Sequence, residues 1–305
     1  MQKLALSTAF TSNRPYTGKA LLELFQQFNV TGLELDYRIN EAHYKRIREA
    51  LKQSHLKVVS VHNFFPIPAV KSDSRGGGDL FLLSHPDPEE RKQAIKWTSR
   101  SIEHAHNLGA QAVVLHCGYV DMSPELDRLY RYHRADQIDS PEARKFIHKK
   151  LAEREQLKPK HMESLLYSLD CLERVADKNG ILLGLENRYH YHELPGIKEL
   201  EILLETFKGA PIGYWHDTGH SHANETLNLL QSQALLDRFS HRLIGIHLHD
   251  AIGLEDHLAP GRGEIEFDRL KSYIHSDTVL VMELKPGTPD REVVEGIQFL
   301  NRLGF

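Results

Sequence analysis

Short runs of aliphatic and β-branched residues alternate along this chain with longer stretches in which apolar residues recur every three or four positions. The short runs read as buried strands: KLALSTAF (3–10), TGLELDY (31–37), KVVSVHNF (57–64), AQAVVLHCG (110–118), ILLGLENR (181–188), IGYWHDTGH (212–220), RLIGIHLHDA (242–251) and TVLVMELKP (278–286). The longer stretches, among them GKALLELFQQF, EERKQAIKWTSRSIEHAHNLG, IKELEILLETFKG and REVVEGIQFLNRLGF, read as amphipathic helices. Eight strands alternating with eight helices predict an α/β fold, a (β/α)8 TIM barrel forming one domain over residues 1–305. The competing open, doubly wound sheet would carry a glycine-rich phosphate fingerprint after its first strand, and STAFTSNRPYTG is not one.

Two segments break the rhythm. Residues 65–86, FPIPAVKSDSRGGGDLFLLSHP, follow the third strand at the expected active face and suit a lid. Residues 119–161 form an inserted helical excursion after the fourth strand, either solvated or in contact with a second copy of the chain in a homo-oligomer.

Composition narrows the class. With 40% hydrophobic and 26% charged residues the chain reads as soluble and globular, and no apolar run approaches the roughly 20 residues that span a bilayer. The early LALSTAF reads as a strand rather than a signal-peptide core. Cys117 and Cys171 stand alone, so neither a disulfide framework nor a thiolate cluster is expected, and a reducing, cytoplasmic setting fits. A net charge of −4 gives no general attraction to a phosphate backbone, which speaks against nucleic acid as a partner. The 20 histidines are the unusual figure, because imidazole is the commonest metal ligand.

Their placement gives that number meaning. In such a barrel the chemistry sits at the carboxyl ends of the strands, where this chain puts His62, His116, Glu186, Asp217 with His220, His247 and Glu283. Alternation along a strand sends Leu185, Ile246 and Met282 toward the helices and Glu186, His247 and Glu283 inward. Converging buried carboxylates cost several kcal/mol each unless compensated, and a bound cation compensates them. The bland alternatives are structural ion pairs of Glu186 with Arg188 and Glu283 with Lys285, and hydrogen-bonded rim histidines at 62 and 116. His249 shares the face of His247 and reads as lining the site, whereas His190, His192, His216 and His222 read as loop or packing residues. Glu34 points inward near a strand end, to bind substrate or to pair with a neighbouring cation.

The motifs E-N-R, D-T-G-H, H-L-H-D followed by H-x-x-P-G-x-G, and M-E resemble the xylose isomerase-like superfamily of barrels, which holds sugar isomerases and epimerases and the endonuclease IV group, AP endonuclease family 2. The resemblance covers nearly the whole chain except 119–161. It implies one divalent ion held by Glu186, Asp217, His247 and Glu283, with Glu186 and Glu283 also acting as acid and base. A Lewis acid on adjacent carbonyl and hydroxyl oxygens would acidify the C–H between them and stabilise an enediolate, and carboxylates on either face would move the proton. His220, His249, Arg188, Arg262 and Glu34 make up the expected substrate-contacting set. The endonuclease-like ligand pattern adds His62 and His116 with Glu186 for one further ion, and His220 with Glu255 and His257 for another; Asp256 could replace Glu255 only on a changed backbone path.

Two reaction classes follow: a metal-dependent isomerase or epimerase of a sugar or related hydroxy-ketone, which the complete four-ligand set and the acidic balance favour, and a zinc phosphodiesterase, which the extra histidines favour. A barrel that keeps its metal and only binds a ligand is the third. Mixed carboxylate and imidazole ligands accept Zn, Mn, Co or Fe, with Zn or Mn expected.

Overall fold

The computed structural model describes residues 4–14, 16–70 and 75–305. Eight parallel strands close on themselves: β1 (Ala5–Ser7), β2 (Gly32–Leu35), β3 (Lys57–His62), β4 (Ala112–Leu115), β5 (Leu182–Glu186), β6 (Ile212–Asp217), β7 (Leu243–Leu248) and, last in the chain, β10 (Val279–Met282). Between the last two, β8 (Asp250–Ile252) and β9 (Glu255–Leu258) form an antiparallel hairpin outside the barrel. The fold is a TIM barrel, with β1 paired to both β2 and β10 to complete the ring.

The strands are shorter than the apolar runs that announce them, and side-chain caps give the reason at two of them. Ser7 accepts a hydrogen bond from the Ala9 N–H and turns β1 into the 3-10 helix Thr8–Thr11. Asp217 accepts the His220 N–H at 2.7 Å and caps the helix Thr218–Thr226, so the run expected to extend to residue 220 leaves the sheet at Asp217. Short polar side chains that bond the backbone locally compete with a sheet ladder and win at its edge. Lys3, expected in the first strand, lies outside the described residues.

Alternation along the strands holds. Leu185, Ile246 and Met282 are fully buried in the large core between sheet and helices. Ala5, Ala112, Val114, Trp215, Val279 and Val281 fill the barrel interior. The Trp215 indole crosses that interior where two neighbouring strands carry glycine: a Cβ on Gly184 would stand 2.8 Å from the ring and one on Gly245 2.3 Å from it. Its ring centroid lies 5.1 Å from that of His247, so the tryptophan is the floor beneath the strand ends.

The helix layer departs from eight regular helices in one place, since the stretch between β9 and β10 forms only the 3-10 helix Phe267–Tyr273. After β4 the chain builds Leu126–Arg134 and Pro141–Leu157 before the barrel helix Pro159–Asn179. The two added helices have a small core of their own, in which Leu129, Phe146 and Ile147 pack with Tyr191 and Leu227 from the loops beyond β5 and β6. No helix among the described residues is long and apolar enough to cross a membrane.

Candidate metal centre

Four strands deliver four candidate ligands. Glu186 and Asp217 are the last residues of β5 and β6, His247 stands opposite Asp217 in β7, and Glu283 follows β10 directly. One donor atom from each lies within 4.8 Å of the others. His247 Nδ1 is 2.7 Å from Glu186 Oε1, 3.1 Å from Glu283 Oε2 and 3.8 Å from Asp217 Oδ2. All four residues are buried.

The residues behind them fix their orientation. Glu34 is fully buried, accepts from Ser60 Oγ at 2.8 Å, and meets His247 Nε2 at 3.1 Å, which keeps the proton on that nitrogen and turns the Nδ1 lone pair toward the cluster. Glu34 therefore stands behind His247 and is not among the residues that line the cavity. His249 behaves alike: its Nδ1 accepts the His257 N–H at 2.9 Å, so its Nε2–H donates to Asp217 at 2.9 and 3.0 Å. Fully buried, it positions Asp217 and does not line the cavity as expected.

Two further sets flank the four. His62 Nε2 and His116 Nε2 approach the same Glu186 Oε2, at 3.7 and 3.0 Å. Their other nitrogens are occupied, His62 Nδ1 by the Asn63 carbonyl at 3.1 Å and His116 Nδ1 by Asp79 Oδ2 at 3.3 Å. On the other side Asp217, His220 and His257 form a second triad. His220 Nδ1 donates to the Asn187 carbonyl at 2.9 Å, leaving Nε2 for the cavity.

Of the two acids before His257, Asp256 is the one that faces the triad. Glu255 is exposed and pairs with Lys285 at the cavity rim. Asp256 Oδ2 instead comes within 3.1 Å of His257 Nδ1 and 3.9 Å of His220 Nε2. His257 adopts φ 55°, a left-handed conformation that residues other than glycine rarely take.

The donor set fits a divalent cation. At His62, His116, His220 and His247 a ring nitrogen whose partner nitrogen is already a donor faces a carboxylate oxygen, and such lone pairs repel unless positive charge stands between them. Burial disfavours the ionised carboxylates, yet Glu186 is held well below the usual range by hydrogen bonds from His116, His247 and His62. Asp217 is held low against burial by His220 and His249, and Glu283 by His247 and His257. Without a metal, protons supply that charge: His247 is held well above the usual imidazole range, against burial, by Glu34, Glu283 and Glu186.

Above the donors opens a cavity of 510 Å³. Tyr37, Arg38, Arg188, Lys285 and His220 line it, with Ala9, Leu254 and Leu284 as apolar wall. Arg188 is nearly buried and bonds Glu186 Oε2 at 3.3 Å, Asp79 Oδ2 at 3.2 Å and Glu193 Oε1 at 3.1 Å. Arg262, expected to contact substrate, pairs with Glu292 and Glu295 and is absent from the lining. Four residues of the site were not singled out along the chain. Tyr37 and Arg38 form a stacked pair at 4.3 Å. Asn187 ties Asp217 and His220 together through Oδ1, Nδ2 and its carbonyl; the E-N-R motif pointed to it. Asp79 is missed because nothing along the chain links residue 79 to residue 116.

Residues 22–303 match the family described as xylose isomerase-like TIM barrel. Protein y4fM of Sinorhizobium fredii, itself uncharacterised, is 24% identical over 246 residues, covering 78% of this chain and 68% of that protein. Among solved structures, the apo form of 3-keto-D-glucoside 4-epimerase from E. coli superposes with a TM-score of 0.70 at 15% identity, over 99% of this chain and 100% of that one. The IOLI protein with a bound zinc atom superposes at 0.63 and 17% identity, over 99% of this chain and 96% of that one.

Proposed function

The chain belongs to the xylose isomerase-like TIM barrel family, and from that membership and the donor geometry we propose that it is a divalent-metal-dependent isomerase or epimerase of a sugar or related hydroxy-ketone. The observation that carries this reading is the convergence of Glu186, Asp217, His247 and Glu283 within 4.8 Å at the floor of an open cavity. A sugar epimerase and a zinc-holding protein among the structures of like fold support it.

When bound, the ion supplies Lewis acidity toward adjacent carbonyl and hydroxyl oxygens of the substrate; imidazole among the donors favours zinc, with manganese, cobalt or iron also accommodated. The protein does the rest. Glu283, at the cavity wall, and Glu186, across the cluster from it, take and return the proton at the substrate carbon. His220 Nε2, with its ring locked by Asn187, meets a substrate oxygen, and Tyr37, Arg38 and Lys285 orient the remainder of the molecule. Ala9, Leu254 and Leu284 limit water at the reacting carbon. With Cys117 and Cys171 unpaired, the reading places the protein in a reducing cytoplasm.

A second reading has its own observation. The triads His62–His116–Glu186 and Asp217–His220–His257 offer places for two more cations, an arrangement that suits in-line attack on a phosphodiester.

One experiment separates the two. Metal-loaded protein should exchange the α-proton of a ketose for deuterium, leave abasic-site DNA uncut, and retain one tightly held ion after His62→Ala and His116→Ala together. Efficient cutting of that DNA, lost with one metal equivalent in the double variant, would install the phosphodiesterase instead.

A further inference from the structure

The segment between β3 and the helix Pro88–Leu108 carries an aspartate that the proposed chemistry leaves unused. We propose that Asp79 is a positioning residue, holding the His116 ring and the Arg188 guanidinium in the orientation that lets His62, His116 and Glu186 take a divalent cation. This rests on the reading that the triad holds an ion.

Asp79 closes the short 3-10 turn Gly77–Asp79. Its Oδ2 stands 3.3 Å from His116 Nδ1 and 3.2 Å from Arg188 Nη2, so one carboxylate oxygen holds both. With Nδ1–H given to Asp79, the His116 lone pair is fixed on Nε2, the nitrogen 3.0 Å from Glu186 Oε2. A carboxylate behind an imidazole sets its tautomer and raises its basicity toward a metal, which a neutral carbonyl does less strongly. His62 has only the Asn63 carbonyl in that place, so His116 is the stronger donor of the pair. The same carboxylate offsets the positive charge of Arg188, which otherwise stands beside Glu186 and repels an incoming cation.

Two observations set Asp79 apart from an ordinary surface carboxylate. Its Oδ1 is buried without a hydrogen-bond partner among the described residues, a state that costs stability and calls for a functional reason. And the chain approaches so closely that only glycine fits. A Cβ on Gly78 would stand 2.6 Å from His116 Nδ1, and Gly77, at φ 60°, leaves no room against Tyr37. The glycine run is therefore the means by which an aspartate reaches the back of a histidine.

Cobalt(II) titration of the metal-stripped full chain, read by absorbance and by chelator competition, tests this. The equivalent that His116→Ala removes identifies the ion of the triad. Asp79→Asn keeps the shape and removes the charge; it should weaken that equivalent by 10- to 100-fold while leaving the ion of Glu186, Asp217, His247 and Glu283 within twofold of wild type. Asp79→Glu should recover part of the affinity. If Asp79→Asn held the triad ion as tightly as wild type, or lost both ions alike, the proposal would be overturned although the triad stood. A wild type from which His116→Ala removes no equivalent would overturn the triad reading and the proposal with it.

Discussion

At the scale of single residues the centre is a set of carboxylates and imidazoles, several of whose other atoms are held from behind. Glu34 holds the far nitrogen of His247, His249 holds Asp217, and Asn187 holds His220. Locked rotamers matter because ligand geometry tolerates only a few tenths of an ångström. Glu186 and Glu283 carry most of the proposed chemistry. An amide keeps the volume but is a poorer ligand and no base, so Glu186→Gln and Glu283→Gln should each lower kcat by at least about 10²-fold with an unchanged far-ultraviolet circular dichroism spectrum. Near wild-type turnover in either variant would remove that residue from the mechanism, and loss of folding would mark it as a structural charge.

Between elements, charge does structural work away from the site. Arg154, on the added helix Pro141–Leu157, forms a paired contact with Glu199 at 3.0 and 3.0 Å, and Lys158 reaches the same carboxylate at 2.6 Å. Glu199 also accepts the Gly196 N–H at 2.8 Å, so it ties the inserted helices to the start of Ile197–Thr206. Burial pushes the Glu199 carboxyl up, but Arg154 and Lys158 outweigh it and bring it down to about 2. A carboxyl depressed in the folded state stabilises above its unfolded value near 4.5 and loses that contribution as pH falls toward 2. The linkage amounts to about 3 kcal/mol at neutral pH. Chemical denaturation of wild type and Glu199→Gln should therefore show a gap that is full at pH 6 and narrows steadily between pH 4.5 and pH 2; a gap independent of pH would deny the ion pair this role.

For the whole molecule, the barrel gathers acids at one end, and in the proposed reading a cation settles their repulsion. Metal that binds the native state alone must raise its stability, by about 2.7 kcal/mol when present at a hundredfold over its dissociation constant. For a chain of 305 residues that corresponds to a rise in Tm of roughly 5 °C. Differential scanning calorimetry of stripped protein with and without zinc or manganese measures it. An unchanged Tm, with no transition metal found by elemental analysis of the purified protein, would refute the metal centre.

The alternation of apolar runs with amphipathic stretches was enough to give the closed barrel, because a parallel sheet buried on both faces writes itself as continuous aliphatic segments. Strand parity was enough to turn Glu186, His247 and Glu283 inward, since neighbouring side chains must face opposite ways. What lies behind those residues was not legible. Glu34 and His249 carry the same residue types as ligands and sit on the same inward faces; only their depth, below the cavity rather than at it, makes them braces. That Asp256, and not Glu255, faces His257 and His220 is a matter of side-chain direction in a loop whose left-handed His257 no local pattern announces. Asp79 meets His116 across 37 positions of chain. Periodicity is a local property and survives in the sequence, whereas the partner of a given nitrogen is set by which loops the closed ring brings over its mouth, and that exists only once the chain has folded.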